Sequence, residues 1–125
     1  MEARILIADR NPAVTLVIRR HFESAGHDVD VVHDGLDALE MGSTGSYDLA
    51  FIDHFLPTVL GAEVIQTWTE NGVDLPTIIV STLNDESMIV RCLELGAADF
   101  IRKPFNTAEL DVRAQIHLTR AAAGA

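Results

Sequence analysis

A single cysteine, Cys92, leaves no internal disulfide to form. The fold must therefore stand on its apolar core, and a reducing compartment, the cytoplasm by default, is the expected setting. Basic residues are scarce too: 9 Lys and Arg face 19 Asp and Glu, for a formal net charge of -10. So acidic a body repels phosphate backbones and anionic lipid, which argues against direct nucleic-acid or membrane-surface binding by this stretch, although a DNA-binding domain could follow it in a longer parent chain. Long apolar runs are missing as well. The opening MEARILIADR is broken by Asp9 and Arg10, too soon for a signal peptide and far too soon for a bilayer span, so neither export nor insertion is expected.

What is present is a composition of 48% apolar and 22% charged residues over 125 positions, enough to bury a core as one domain without metal or disulfide support. Within it, Leu49 to Ile52 is apolar without alternation, the pattern of a strand covered on both faces, and it ends in Asp53 before a Pro- and Gly-containing loop. Arg4 to Ala8 is a similar run ending in Asp9, with Pro12 placed to begin a helix whose apolar face is Val14, Val17, Ile18 and Phe22. His27 to Val32 alternates and reads as a half-exposed edge strand, followed by a short helix over Leu36 to Met41. Ala62 to Glu70 reads as a helix with Val64, Ile65 and Trp68 inward. Leu75 to Val80 is another unbroken run, with Ser81 at its end. Asn84 is placed to cap a helix through Leu95. Ala98 to Arg102 is a fifth strand before Lys103, and Asn106 to about Arg120 a last helix with Leu110, Ala114, Ile116 and Leu118 on its apolar face.

The expected fold is thus α/β, a (βα)5 doubly wound parallel sheet in strand order 2-1-3-4-5 of the flavodoxin-like kind. Residues 1–120 form the domain and 121–125 a tail or the start of a linker. In such a sheet ligands gather outside the carboxyl ends of the strands, and that edge collects Asp9, Asp53, Ser81 and Lys103. Two carboxylates suit an oxygen-loving divalent cation, and a hydroxyl with an ammonium suits the remaining oxygens of a phosphoryl group, so Asp53 is a candidate nucleophile for phosphoryl transfer. A cofactor binder of the same strand order would want a phosphate-cradling glycine loop after the first strand, which this chain lacks.

ILIAD, YDLAFID with the following LP and Gly61, LPTIIVST and GAADFIRKPF together resemble the receiver domain of two-component response regulators along nearly the whole chain. The resemblance implies phosphorylation of Asp53 by a sensor histidine kinase or phosphotransfer protein, with Ser81 and Lys103 on the phosphoryl group. It implies Mg²⁺ held by Asp9, Asp53 and the backbone carbonyl of Phe55, and a cis bond before Pro104. It makes Ser81 and Phe100 the switch pair, and the face of the fourth helix, fifth strand and fifth helix the surface read by a downstream effector or a homodimer partner. Such a chain is no enzyme beyond its own phosphorylation and dephosphorylation.

Two departures stand out. The family has two adjacent acids after the first strand, where this chain has Asp9-Arg10. A fixed positive charge in place of a ligand weakens cation binding by on the order of a few kcal/mol. The guanidinium is expected to pair with Asp53 or Asp9; the alternative is a solvent-facing Arg10 with Asn11 or water completing the sphere. An atypical, phosphorylation-independent interaction module is therefore the alternative function. Phe55 and Leu83 occupy the positions that set dephosphorylation in the family, and neither can orient a water, so a long-lived phosphoryl group is expected. His21, His27 and His33 share no ligand geometry, and His54 reads as a loop histidine without a role.

Overall fold

The computed structural model describes residues 2–44 and 46–124. Five strands alternate with five helices: β1 (Arg4–Ala8), α1 (Pro12–Ser24), β2 (Asp28–Val32), α2 (Gly35–Ser43), β3 (Leu49–Ile52), α3 (Gly61–Glu70), β4 (Thr77–Ser81), α4 (Glu86–Glu94), β5 (Asp99–Arg102) and α5 (Thr107–Gly124). The strands form one parallel sheet in the order β2-β1-β3-β4-β5. β1 sits between β2 and β3, with Ile7 opposite both Val31 and Phe51, while β4 joins β3 to β5.

Successive side chains of a strand point to opposite faces, so covering both faces demands apolar residues at every position. Ile5, Ile7, Leu49, Phe51, Ile78, Val80 and Ile101 pack on one side with Ile18 and Phe22 of α1 and Leu110, Ala114 and Leu118 of α5. Leu6, Ala8, Ala50, Ile52 and Ile79 pack on the other with Ala38 of α2, Val64, Ile65 and Trp68 of α3, and Cys92 of α4. Phe22 stacks on Phe51 with ring centroids 5.2 Å apart, which fixes α1 on β3. Trp68 donates its indole N–H to the Leu39 carbonyl at 3.3 Å, tying α3 to α2.

Several local expectations are corrected. Val17 is 50% exposed, and Thr15 takes the inward place, its hydroxyl satisfied by the Pro12 carbonyl at 3.0 Å. On α5, Leu110, Ala114 and Leu118 lie at four-residue spacing, which turns Ile116 outward and brings His117 into the core. Asp85, not Asn84, caps α4, accepting the N–H groups of Ser87 and Met88. β4 starts two residues later than the apolar run and so ends on Ser81 itself. α5 continues to Gly124, past the boundary expected at Arg120; Ala125 lies outside the described residues. No helix among the described residues is long and apolar enough to cross a membrane.

Candidate functional site

Parallel register carries the ends of β1, β3, β4 and β5 to one rim. The Asp53 N–H donates to the Ala8 carbonyl at 2.9 Å and the Lys103 N–H to the Ser81 carbonyl at 2.9 Å, so each loop leaves the sheet beside its neighbour. Asp9, Asp53 and Ser81 are all buried, at 3%, 6% and 0% exposure. Asp53 Oδ1 accepts the Ser81 hydroxyl at 2.7 Å and the Phe55 N–H at 3.0 Å. Its Oδ2 accepts the Lys103 ammonium at 2.9 Å, and the same ammonium donates to Asp9 Oδ2 at 2.6 Å. Asp9 Oδ1 takes the Asn11 N–H at 2.9 Å. Four polar groups from four strand ends thus form a single bonded cluster with Lys103 at its centre.

Burial pushes the Asp53 carboxyl up, but the hydrogen bonds from Ser81, Lys103 and the Phe55 N–H, with the charge of Lys103, outweigh it and hold the group below the usual carboxylate range. Burial acts on Lys103 in the opposite sense, and its bonds to Asp9 and Asp53 and their charges win, raising it. Asp53 is therefore an anion and Lys103 a cation at neutral pH.

The loop after β3 is braced from behind. The Gly61 N–H donates to the His54 carbonyl at 2.7 Å, and a Cβ on Gly61 would lie 2.5 Å from the Asp53 carbonyl oxygen, so only glycine fits there. His54 is 4% exposed and accepts the Ala62 N–H on Nδ1 at 3.3 Å, which caps α3 where Leu60 has no side-chain cap. It is a structural brace rather than an idle loop residue. Burial lowers its basicity despite the charges of Asp53 and Glu63, in keeping with a neutral, accepting ring. Thr58, at φ 67, is held in the left-handed region while its Oγ1 accepts the Leu36 N–H at 3.0 Å, joining the loop to the start of α2.

A family model described as the response regulator receiver domain matches residues 5–115. The chain belongs to that family. Response regulator MprA of Mycobacterium ulcerans is 35% identical over 120 residues, covering 96% of this chain and 52% of that protein. The Mycobacterium tuberculosis counterpart is 34% identical over the same length, so the receiver domain spans about half of the curated relatives it matches. Among solved structures, the receiver domain of a Francisella response regulator superposes with a TM-score of 0.88 at 30% identity, covering 94% of this chain and 98% of that one. The receiver domain of a sensor histidine kinase from Pseudomonas aeruginosa, described with a magnesium ion coordinated in its active-site cleft, superposes at 0.85 with 29% identity, covering 95% and 99%. The protein is therefore a signal-receiving domain of two-component pathways.

Within this receiver domain, Lys103-Pro104 is cis, and Phe100 is half-buried against the core on the α4 side. Leu83 is buried in that core, its N–H donating to Ser81 Oγ at 3.2 Å, whereas Phe55 is 41% exposed beside the pocket. Arg10 differs from expectation. It makes no ion pair with Asp9 or Asp53 and stands exposed, because Lys103 already takes both carboxylates from the inside.

The residues present do not fit a divalent cation site of ordinary strength. No group of three or more His, Cys, Asp or Glu side chains that could hold a metal exists among the described residues. The two carboxylates available already share an ammonium, and the next residue along the loop is a cation. Two roles were invisible in the sequence: His54, and His117 with Asp99. His117 Nε2 lies 3.0 Å from Asp99 Oδ2, and Arg113 donates to Asp99 Oδ1 at 3.1 Å, which binds α5 to β5. A polar residue in register with Leu110 and Ala114 was the one available signal.

Proposed function

We propose that this receiver domain accepts a phosphoryl group on Asp53 from a phosphohistidine of a sensor histidine kinase or phosphotransfer protein. The new charge is passed on by altered binding at the face of α4, β5 and α5, to an effector or a second copy of the domain. One observation carries the reading: a buried carboxylate held at once by a hydroxyl from β4 and an ammonium from the loop after β5. In the transfer, an Asp53 oxygen attacks phosphorus as the P–N bond of the donor breaks, the electron pair leaving with an imidazole that carries its own proton. The Lys103 ammonium and the Ser81 hydroxyl then turn from the carboxylate to the phosphoryl oxygens, where charge accumulates. As Ser81 moves it draws on the Leu83 N–H bonded to its Oγ, and Phe100, the aromatic of the switch pair, turns inward with it. The domain would be cytoplasmic and would catalyse at most its own phosphorylation and dephosphorylation. Its extent is taken as residues 1–120, with residues 121–125 as a tail or the start of a linker.

Exposed Arg10 favours a second reading, in which the domain binds a partner without a phosphate cycle. Incubation with a cognate kinase, read by intact mass, decides between them. A gain of one phosphate that Asp53→Asn abolishes supports the first, and no gain with any kinase supports the second.

A further inference from the structure

We infer that Arg10 supplies, from within the chain, the positive charge that phosphorylation of Asp53 requires, so that this receiver domain takes up phosphate without a divalent metal. The inference rests on the proposed role of Asp53 and adds what balances the charge there. Before transfer the cluster holds Asp9, Asp53 and Lys103, two negative charges against one positive. A phosphoryl group replaces the single negative charge of Asp53 with about two. Lys103 cannot neutralise this alone, since it remains bonded to Asp9 at 2.6 Å.

The nearest further cation along the chain is Arg10, one residue from Asp9 on the loop that borders the pocket. It is exposed and absent from every ion pair among the described residues. Its backbone is fixed, because the Asn11 N–H is held by Asp9 Oδ1 at 2.9 Å and Asn11 caps α1. The long side chain is unconstrained, and a planar guanidinium presents paired N–H groups that match two phosphoryl oxygens. Replacing an acid with arginine changes the local charge by two units in the positive direction, the same change that a bound divalent cation makes. The substitution that spoils the metal site therefore restores the charge the metal would bring.

The phosphotransfer is written with phosphoramidate as donor. An Asp53 oxygen forms the O–P bond, the P–N bond breaks, and the protonated nitrogen leaves as ammonia. The guanidinium lies against the equatorial oxygens and exchanges no proton.

The test is phosphoramidate labelling of the intact chain, tracked by intact mass over time, in excess chelator and in millimolar Mg²⁺. Wild type, Arg10→Ala, Arg10→Asp and Asp53→Asn are compared, with thermal melting to confirm folding. Wild type is expected to label at similar rates in both conditions. Arg10→Ala should slow by about a thousandfold in chelator, the lower end of what guanidinium groups that act on transferring phosphates contribute. Arg10→Asp should label only with Mg²⁺. Labelling of wild type that needs Mg²⁺, or of Arg10→Ala that matches wild type in chelator, overturns the inference and leaves Asp53 as phosphoacceptor. If wild type and Arg10→Asp both stay unlabelled with and without Mg²⁺, the phosphoacceptor reading falls and this inference falls with it.

Discussion

Replacing Lys103 with methionine keeps the aliphatic stem and removes the one cation that Asp9 and Asp53 share. The two carboxylates are 3% and 6% exposed, and each has an oxygen on the same nitrogen, at 2.6 and 2.9 Å. Without it they face one another with little water and no cation inside the pocket, the nearest remaining one being Arg10, which stands in solvent. At a separation of about 5 Å and an effective dielectric near 20, their repulsion is roughly 3 kcal/mol. Loss of the charge-assisted hydrogen bonds raises the cost towards the roughly 3–5 kcal/mol typical of a buried ion pair broken from one side. A domain with about 5–15 kcal/mol of stability stays folded after such a loss, narrowly only at the lower end of that range.

The penalty depends on pH in a definite direction. One carboxyl of the bare pair is raised above its unfolded value of about 3.9, so the folded state holds a proton that the unfolded state releases, and stability climbs as pH falls from neutral. Wild type behaves oppositely. There Asp53 lies below its unfolded value, so its contribution is present above that value and is lost as pH falls through the folded one. Urea denaturation at pH 7.5 and pH 5 of wild type, Lys103→Met and the Asp9→Asn/Lys103→Met double variant reads these terms. Lys103→Met should lose about 3 kcal/mol at pH 7.5 and regain a large part at pH 5, and the double variant should regain it at both. Equal stability of Lys103→Met and wild type at pH 7.5, or a loss indifferent to pH, would refute the shared-cation account.

Gly61→Ala should lower stability by about 1–3 kcal/mol and slow labelling of Asp53, because the new Cβ meets backbone atoms of Asp53 and His54 at 2.5 and 2.7 Å that cannot swing aside; unchanged melting and labelling would show that the loop yields. Asp99→Ala strips the acceptor from His117 and Arg113 and should cost about 1–3 kcal/mol, whereas Ile116→Ala on the outer face should stay within about 0.5 kcal/mol. Reversal of that ranking in denaturation would mean α5 is held by something other than the Asp99 cluster. Once labelled, Asp53 should keep its phosphate far longer than the time of transfer, since neither Phe55 nor Leu83 can orient a water; rapid spontaneous loss of the added mass from the isolated domain counts against this.

The sheet was legible because its signal is local. A strand covered on both faces must be apolar throughout, and Leu49 to Ile52 and Ile78 to Val80 are. The rim came with the sheet, since parallel strands with short right-handed crossovers place Asp9, Asp53 and Ser81 on one side whatever the details. What escaped was each polar residue whose burial depends on a partner distant in the chain. Thr15 was missed for a local reason: it shares the inward face with Ile18 and Phe22, away from Val17, with its hydroxyl satisfied by the Pro12 carbonyl. His117 goes inward because Asp99, eighteen residues earlier, waits there as an acceptor. Asn84 and Asp85 are equally good caps by type, and only the path of the chain into α4 decides between them. Arg10 is the same case in reverse. Its charge suits Asp9 and Asp53, but a lysine ninety-four residues beyond Asp9 reaches both first from inside the sheet. A buried carboxylate with its acceptors already filled has little left to offer a second cation that must give up water to approach. The arginine therefore stays in solvent.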